Sequence, residues 1–349
     1  MTSTNGVHGH IETVILTALA EETEAVVRSL DNSVVHPWRG NDLHVGEVSG
    51  KNVLVFPLGA MGNASSAQAA QRAIGIWNPA QIMIVGITGG ARGAGDDLRL
   101  GDVLVPDQVI GYEHAKVTPT GPETRYETYR PSHELLTAAR SVNPAEWALS
   151  IVTPRPDGDS GRTLPRVHVG PVLSGEKVVA DATTMNGLLR DWPKALGVEM
   201  EGLGVAIASY RGGPGFLLVK AVCDFADPAK EDSWHGYAAE AAARFAVAVL
   251  TRIHDATDNG LRPQAVPMTG EVRYPGPVRL EVCRRLDNWE EVADYFDVPG
   301  HIRARFGRGH EPRRLWDFLD NRRKLYELPQ ALEAAGRADL ASLLRQVPS

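Results

Sequence analysis

Apolar residues follow two alternating patterns over the first 254 residues of the chain. Runs of valine, isoleucine and leucine are typical of strands buried on both faces of a sheet, whereas apolar residues three or four positions apart are typical of helices. The first pair is a strand from residue 13 and a helix over 20–30; the second is a strand before residue 57 and a helix that Asn63 is expected to cap. This alternation predicts an α/β fold with a mixed, largely parallel twisted sheet flanked by helices.

The remaining predicted elements of this region repeat the same order. They are strands over 81–87, 101–112, 166–174 and 216–222, and helices that begin near 131 and cover 182–191, 201–210 and 237–253. Together these elements can bury a full core. We therefore expect one α/β domain over residues 10–254.

The pattern changes after residue 254. Residues 255–277 contain four prolines and no sustained periodicity, which is typical of a linker. Over residues 278–347 apolar pairs three or four positions apart, such as Leu315 and Leu319, are separated by prolines and glycines. This stretch predicts a small all-α bundle of five or six short helices.

Composition narrows the classes of protein to which the chain can belong. The 36 lysines and arginines against 43 aspartates and glutamates give a net charge of −7, which argues against a chain built as a whole to coat nucleic acid. Cys223 and Cys283 lie far apart, so we expect neither a disulfide nor a metal site, and no motif indicates an organic cofactor. The polar residues 1–10 are expected to be a tail without a secretory signal. No apolar run reaches the ~18–20 residues that span a bilayer. We therefore expect a cytoplasmic protein.

Candidate functional groups adjoin the predicted strands. Glu21 and Glu22 follow the first strand, at the edge where α/β sheets place ligand groups, although acidic residues also favour the first turn of any helix. Glycine-rich turns over 57–63 and 86–95 could offer backbone N–H groups to anions or hydroxyls, and tight turns alone would explain them equally well. Neither turn has the context of a dinucleotide-binding or phosphate-binding loop.

Two further segments carry carboxylates. Glu199 and Glu201 flank a methionine at the end of a short strand, where Glu201 could turn toward a pocket and accept hydrogen bonds from two adjacent hydroxyls. Asp224 follows an apolar strand, so its carboxyl group would be partly desolvated and could keep a proton for general-acid catalysis. An aspartate that merely starts a loop is the alternative interpretation.

Taken in order, these segments resemble the methylthioadenosine/S-adenosylhomocysteine nucleosidases of the purine nucleosidase/phosphorylase superfamily. The resemblance rests on residues 18–26, 86–90, 98–109, 174–181, 197–202 and 220–227, and residues 232–250 are similar to the closing helix of the bacterial enzymes. It covers about two thirds of the chain. Residues 10–254 are accordingly expected to be a nucleosidase-like catalytic domain.

The resemblance implies a role for each carboxylate. Asp224 would protonate N7 of the purine, Glu201 would hold the 2′- and 3′-hydroxyls of the ribose, and Glu22 would orient and deprotonate the attacking water. The substrate-binding residues that it implies are Met200 against the ribose, Val178 and Val179 against the base, and Glu199, Thr88, Gly89, Lys220, Cys223 and Phe225.

The chain departs from this family at three positions. Thr88 lies near the position of a common serine, and its hydroxyl could replace that donor. Lys220 replaces a frequent arginine and keeps the charge without the planar fork of a guanidinium. Cys223 replaces another common serine.

Water is the expected nucleophile, because a carboxylate at Glu22 can take a proton and would repel phosphate. Arg92 and Arg99 lie nearby in sequence and could attract phosphate, so a phosphate-dependent phosphorylase is an alternative. A nucleoside sensor without turnover is another alternative, although recognition alone does not require Glu22.

The resemblance further implies an adenine nucleoside or nucleotide as substrate, and a homodimer in which residues 112–129 help to close the 5′ end of the pocket.

Residues 278–347 resemble, less specifically, the death-like or effector-associated helical domains fused to enzymes in bacterial conflict systems. The resemblance rests on residues 289–298, 315–332 and 335–344. Because such modules bring proteins together, it implies a protein partner and an effector in defence or stress signalling. Residues 301–324 carry eight basic residues against three acidic ones. An ordinary solvated helical surface would explain this excess of positive charge. Nucleic-acid binding is less expected, because no pattern of aromatic stacking residues accompanies the charge.

Overall fold

The computed structural model divides the chain into two compact units, Met1–Leu261 and Arg262–Ser349. The residues that it describes are 10–92, 98–119, 121–158, 163–226, 232–258, 274–296, 298, 300–303, 306–307, 309–320 and 324–345. The expected N-terminal tail and most of the expected linker therefore lie outside the described residues. No helix within these ranges has both the length and the apolar character needed to cross a membrane.

The first unit alternates strands with helices. Its strands are β1 (Thr13–Thr17), β2 (Asp31–Trp38), β3 (Asn41–Val48), β4 (Lys51–Pro57), β5 (Gln81–Gly90), β6 (Val103–Gly111), β7 (Ala115–Thr118), β8 (Gly121–Thr124), β9 (Glu127–Tyr129), β10 (Val167–Ser174), β11 (Gly197–Glu199) and β12 (Gly215–Asp224). Its α-helices are α1 (Ala20–Ser29), α2 (Asn63–Trp77), α3 (His133–Ser141), α4 (Pro144–Ala148), α5 (Ala182–Asp191), α6 (Gly202–Gly212) and α7 (His235–Asp258).

Ten of the strands form one mixed sheet, in the order β11-β10-β6-β12-β5-β1-β4-β3-β2, with β9 paired to β6. Parallel pairs join β4, β1, β5 and β12 at its centre and β6, β10 and β11 beside them. The pair β12–β6 and the hairpins β2–β3 and β3–β4 are antiparallel. The predicted mixed α/β sheet is confirmed, and its central parallel strands place their carboxyl ends at one edge.

Helices cover both faces of the sheet. One face packs against α1, α3, α4 and α7, and α7 contributes buried alanines such as Ala238 and Ala242. The other face packs against α2 and α6 through residues that include Ala70, Ala73 and Val205. Because helices bury both faces of the sheet, the apolar runs of the central strands are continuous.

Helices α2 and α6 lie close together at Gly204. A Cβ atom there would lie 2.1 Å from the carbonyl oxygen of Asn63 and 2.2 Å from Ser66 Oγ. Gly204→Ala should therefore push the helices apart and lower the free energy of unfolding by about 1–3 kcal/mol, as measured by urea denaturation. The control is Gly75→Ala in α2, where a Cβ would meet nothing within 4 Å and helix propensity predicts a gain of roughly 0.5–1 kcal/mol. Equal effects of the two changes would contradict this packing.

The predicted cap of α2 is wrong. Gly62 occupies the capping position, and Asn63 is the first residue of the helix. The side chain of Asn63 instead donates to the carbonyl of Gly175 (3.0 Å) and accepts from the N–H of Gly204 (3.0 Å). It therefore ties α2 to two distant segments. At the other end of the unit, α7 continues through Asp258, past the boundary expected at residue 254.

The second unit is all-helical. Its helices are α8 (Gly276–Arg285), α9 (Trp289–Tyr295), α10 (Gly300–Arg303), α11 (Glu311–Asp320), α12 (Leu328–Ala334) and α13 (Ala338–Arg345). They enclose one apolar cluster that contains Leu315, Trp316 and Leu319. The predicted small bundle is confirmed.

Half of the eight basic residues in the stretch 301–324 lie outside the described residues: Arg305, Arg308, Arg322 and Arg323.

Candidate active site

Four buried carboxylates, those of Glu22, Glu199, Glu201 and Asp224, line one cavity of about 300 Å³ in the first unit. Glu22 lies in the first turn of α1, after β1; Glu201 immediately precedes α6; Asp224 ends β12. These residues are 2%, 4% and 5% exposed. The structure thus brings together the three residues proposed from the sequence as catalytic. The strands β1 and β12 are both parallel to β5 and end at one edge of the sheet, and β11, which precedes Glu201, runs antiparallel to β5 beside the end of that strand.

Backbone N–H groups hold the carboxylate of Glu22 in place. Its Oε2 accepts from the N–H groups of Ala18 (2.7 Å) and Leu19 (2.9 Å), and its Oε1 accepts from the N–H of Ile87 (2.8 Å). Burial raises the pKa of Glu22 above its ordinary value, although Lys220 and the N–H groups oppose this shift. Glu22 is therefore a stronger proton acceptor than an exposed glutamate, which suits a general base.

A glycine makes room for this carboxylate. A Cβ atom at Gly86 would lie only 2.0 Å from Glu22 Oε1, so any side chain there would displace the carboxylate from Ile87. Residues 86–90, expected as the start of a glycine-rich turn, continue strand β5. Residues 93–97 of that turn lie outside the described residues.

Glu199 lines the cavity but binds the start of α6. Its carboxylate accepts hydrogen bonds from the N–H groups of Glu201 (2.9 Å) and Gly202 (2.8 Å), which the beginning of a helix would otherwise leave unpaired. Burial raises the pKa of Glu199. Its carboxylate therefore positions Glu201, and a direct contact of Glu199 with substrate stays a prediction.

A buried lysine supplies the countercharge to these carboxylates. Lys220 is 1% exposed, and its Nζ lies 3.0 Å from Glu201 Oε2 and 4.0 Å from Glu22 Oε1. Burial disfavours its charge, but Glu201, Glu22 and Glu199 outweigh burial and raise the pKa of Lys220. Burial likewise acts to raise the pKa of Glu201, and the pairing with Lys220 and the N–H of Gly62 (3.2 Å) lowers it below the ordinary value. Glu201 is therefore held ionised.

Asp224 is held by its immediate neighbours in the chain. Its Oδ1 accepts from the N–H of Ala226 (2.7 Å), and the thiol of Cys223 donates to its Oδ2 (3.2 Å). The hydroxyl of Thr88 donates to the carbonyl of Val198 (2.8 Å). Because Thr88 and Cys223 support the site in this way, their direct contacts with substrate stay predictions.

The other expected substrate-binding residues divide into two groups. Val179, Met200 and Gly89 line the cavity, and so does Val178, which is 55% exposed. Apolar walls of this kind suit a purine base. Phe225 is not among the described lining residues; its ring lies under the guanidinium group of Arg92, 4.2 Å from the ring centroid.

Some residues of the cavity gave no signal in the sequence. Met61, Lys177 and His235 line it as well, and His235 Nδ1 lies 2.8 Å from Glu21 Oε1. Lys177 and His235 belong to segments that resemble the family, whereas Met61 lies in the glycine-rich turn over 57–63. A single methionine, lysine or histidine has no spacing pattern, however, and only the folded chain shows where its side chain lies.

The two arginines that left phosphorolysis open are not among the described lining residues. Arg99 pairs with Asp102 (3.3 Å), and Arg92 lies over an aromatic ring. Lys220, which does line the cavity, is already surrounded by carboxylates. A phosphate dianion would therefore meet Glu22 without an excess of positive charge from these groups.

Residues 12–255 match the Phosphorylase superfamily, and residues 276–347 match Bacterial Death-like domain 3. The chain belongs to the phosphorylase superfamily, and its second unit is a bacterial death-like domain. Both resemblances stated from the sequence are confirmed.

Individual relatives match about two thirds of the chain. A death domain-containing ATP nucleosidase of Amphimedon queenslandica is 26% identical over an alignment of 255 residues that covers 67% of this chain and 47% of the relative, so the chain spans about half the length of that protein. A 5′-methylthioadenosine/S-adenosylhomocysteine nucleosidase of Chromohalobacter salexigens is 25% identical over an alignment of 244 residues that covers 67% of this chain and 93% of the relative. The crystal structure of such a nucleosidase from Neisseria meningitidis, in complex with methylthio-immucillin-A, has a TM-score of 0.56 at 19% identity and covers 69% of this chain and 99% of that chain. This last likeness concerns the fold.

Proposed function

We propose that the first unit hydrolyses the N-glycosidic bond of an adenine nucleoside or nucleotide. The observation that carries this proposal is the convergence of Glu22, Glu201 and Asp224 on one cavity, with Lys220 between two of them. The relatives named above support it, since they are nucleosidases for ATP or for methylthioadenosine and S-adenosylhomocysteine.

Asp224 acts on the leaving group. An adenine anion departs with difficulty, whereas a base protonated at N7 departs neutral while C1′ of the ribose takes on oxocarbenium character. The apolar walls of the cavity keep bulk water from competing for that proton. A well-placed general acid contributes about 10²–10⁴-fold to the rate.

Glu201 and Glu22 act on the sugar and the nucleophile. Glu201, held ionised beside Lys220, accepts hydrogen bonds from the two adjacent ribose hydroxyls. Glu22 takes a proton from the water that attacks C1′. The bond between C1′ and the purine nitrogen breaks and a bond between C1′ and the water oxygen forms; one proton ends on Glu22, and the proton of Asp224 ends on N7.

The direct test is product analysis by chromatography. The full chain is incubated with methylthioadenosine, S-adenosylhomocysteine, adenosine and ATP, each with and without inorganic phosphate. Release of adenine together with the free sugar moiety, independent of phosphate, is expected for at least one substrate. Release only with phosphate, as a sugar 1-phosphate, would establish a phosphorylase, and tight nucleoside binding without release would establish a sensor.

Glu22 should determine the acidic limb of the pH–rate profile. Its raised pKa means that acidification removes the carboxylate, the form that accepts a proton, at a pH above the ordinary pKa of glutamate. The measured kcat/KM should therefore fall as the pH drops through this raised pKa. Glu22→Gln should remove the limb together with most of the activity. If the same limb persists in the residual activity of the variant, another group is responsible.

We further infer that the second unit recruits protein partners and that the first unit works as a homodimer. The death-like domain supports the first inference. The family resemblance supports the second, and the hairpin β7–β8, within the stretch expected at the partner's pocket, leaves Val117 87% exposed. An enzyme of this composition fits an effector that depletes an adenine metabolite in bacterial defence. Light scattering of the full chain measures the assembly, and a monomer at micromolar concentration would contradict the dimer.

A further inference from the structure

Cys223, Asp224 and His235 form one cluster of side chains. Asp224 acts in the proposed mechanism, but the three side chains have no role in it as a group. The Sγ atom of Cys223, a carboxylate oxygen of Asp224 and a ring nitrogen of His235 all lie within 4.8 Å of one another. The spacing of the two cysteines in the sequence gave no reason to expect a metal site. We propose that these three side chains bind a zinc ion, and that this ion inhibits the enzyme.

The chemistry of the three ligands favours zinc. Thiolate, imidazole and carboxylate are all zinc ligands, and three protein ligands that leave one position open to water form a complete tetrahedral site. Bond lengths of about 2.3 Å to sulfur and about 2.0 Å to nitrogen place tetrahedral ligand atoms roughly 3.5 Å apart. Cys223 Sγ already lies 3.2 Å from Asp224 Oδ2. The ring nitrogen of His235, the first residue of α7, lies within 4.8 Å of both atoms, so an approach of at most about 1–1.5 Å gives the three atoms tetrahedral spacing.

Glu21 supports His235 as a metal ligand. Glu21 Oε1 lies 2.8 Å from Nδ1 and can accept a hydrogen bond there, so the neutral ring that binds a metal would hold its proton on Nδ1 and its lone pair on Nε2. Within the described part of the chain, Nε2 is buried and forms no hydrogen bond, although Asp232 Oδ1 lies 3.3 Å away. A carboxylate on the second ring nitrogen is the usual partner of a metal-binding histidine, since it fixes the orientation of the ring and strengthens it as a ligand.

Bound zinc and the reaction exclude each other. A carboxylate that coordinates zinc cannot donate a proton to N7, so the ion removes the general acid from the reaction. This consequence rests on the proposed function, whereas the binding of zinc does not. Coordination also requires the thiol of Cys223 to lose its proton, so that binding releases a proton and the affinity for zinc rises with pH.

Calorimetric titration of zinc chloride into the metal-free full chain tests the binding. We expect one site per chain, with proton release, that is lost in Cys223→Ser and in His235→Gln. The serine keeps a hydroxyl donor beside Asp224 but removes the sulfur ligand. Because Cys223 lies in β12 and His235 in α7, either variant alone can test the site if the other does not fold. The matched control is Cys283→Ser in the second unit, which should keep the site. Zinc binding that is equal in the parent chain and in both site variants would show adventitious binding only and overturn the proposal.

Cobalt(II) gives a second readout. Its binding to the parent chain should produce the near-ultraviolet absorption band of a cobalt–thiolate bond, and Cys223→Ser should abolish that band while Cys283→Ser retains it. The reverse pattern would place the metal in the second unit and overturn the assignment.

The inhibition is measured separately. At a free zinc concentration about ten times the Kd, adenine release by the parent chain should fall about tenfold, and a chelator should restore it. Unchanged turnover with the site occupied would overturn the exclusion of zinc and substrate. No adenine release from the metal-free chain would instead refute the proposed function, and the titrations would still decide the metal site.

Discussion

Asp224→Asn should lower the rate of adenine release by about 10²–10⁴-fold while nucleoside binding changes little. The amide keeps the size of the side chain, and its oxygen can still accept from the N–H of Ala226 (2.7 Å). It has no acidic proton for N7 of the base. Steady-state kinetics should therefore place the loss in kcat, and calorimetry should give a similar Kd for the nucleoside.

Asp42→Asn is the matched control for this change, because Asp42 is exposed in β3 and does not line the cavity. It should retain the kcat of the parent chain. If Asp224→Asn loses binding and turnover to the same extent, Asp224 holds the substrate rather than protonating it. A fully active Asp224→Asn would assign the proton to another group.

Lys220→Met should lower the free energy of unfolding by about 3–5 kcal/mol at neutral pH. The change leaves Glu22, Glu199 and Glu201 buried without the ammonium group that lies 3.0 Å from Glu201 and 4.0 Å from Glu22. Urea denaturation at pH 7 and pH 5 measures the effect. The loss should be smaller at the lower pH, because protonation removes the uncompensated negative charge.

The direction of this pH dependence follows from the pKa of Glu201. In the parent chain that pKa is lowered, so Glu201 contributes stability that is present above its unfolded pKa and is lost as the pH falls through the folded pKa. Without Lys220, burial is the dominant influence and the pKa of Glu201 rises. The variant then gains from protonation at a pH where the parent chain does not, and the two stability curves approach each other in acid.

Two other lysine variants serve as controls. Lys116→Met removes an exposed lysine in β7, 3.9 Å from Glu123, and should change stability by less than about 1 kcal/mol. Lys220→Arg keeps the positive charge and should recover part of the loss, although the wider guanidinium group must fit a closed space. If Lys220→Met is as stable as the parent chain at both pH values, the carboxylates are not ionised around Lys220.

The sequence predicts the centre of the sheet better than its edge. Strands such as β1 and β12 are continuous apolar runs because helices bury both of their faces, and such runs stand out in a sequence. The edge strand β2 was not predicted. Its Val34 and Val35 are 57% and 49% exposed, so the strand shows neither a buried run nor a clean alternation. Hydrogen bonds to β3 define it instead.

The carboxylates of the site could be proposed from the sequence, but their supports could not. Each carboxylate follows a strand and belongs to a motif of the family. Both features are local in the sequence and can be recognised without the fold. Glu199 and Asn63 act through contacts that the fold creates; the Asn63 side chain, for example, bonds to the carbonyl of Gly175, far along the chain. Propensity suggested a helix cap for Asn63, and tertiary contacts overrode it. The chemical roles of Glu22, Glu201 and Asp224 stay predictions until the variants are assayed.

The bundle of the second unit could be predicted almost helix by helix. Leu328 and Leu332, four positions apart, are both buried, and α12 and α13 are separated near Gly336, which adopts a positive φ of 71°. Short helices that share one core leave a strong periodic signal. Their charged surfaces carry no comparable signal, so the partner of the unit could not be named from the sequence.

The contact between Gly86 and Glu22 makes two positions mutually dependent in evolution. A methyl group at 86 has a place only if the carboxylate from 22 has withdrawn, and a shorter residue at 22 leaves a void that glycine cannot fill. Descendants of this chain should therefore exchange both residues or neither. A lineage that retains the pair retains the buried carboxylate to which the activation of water is assigned in the proposed mechanism.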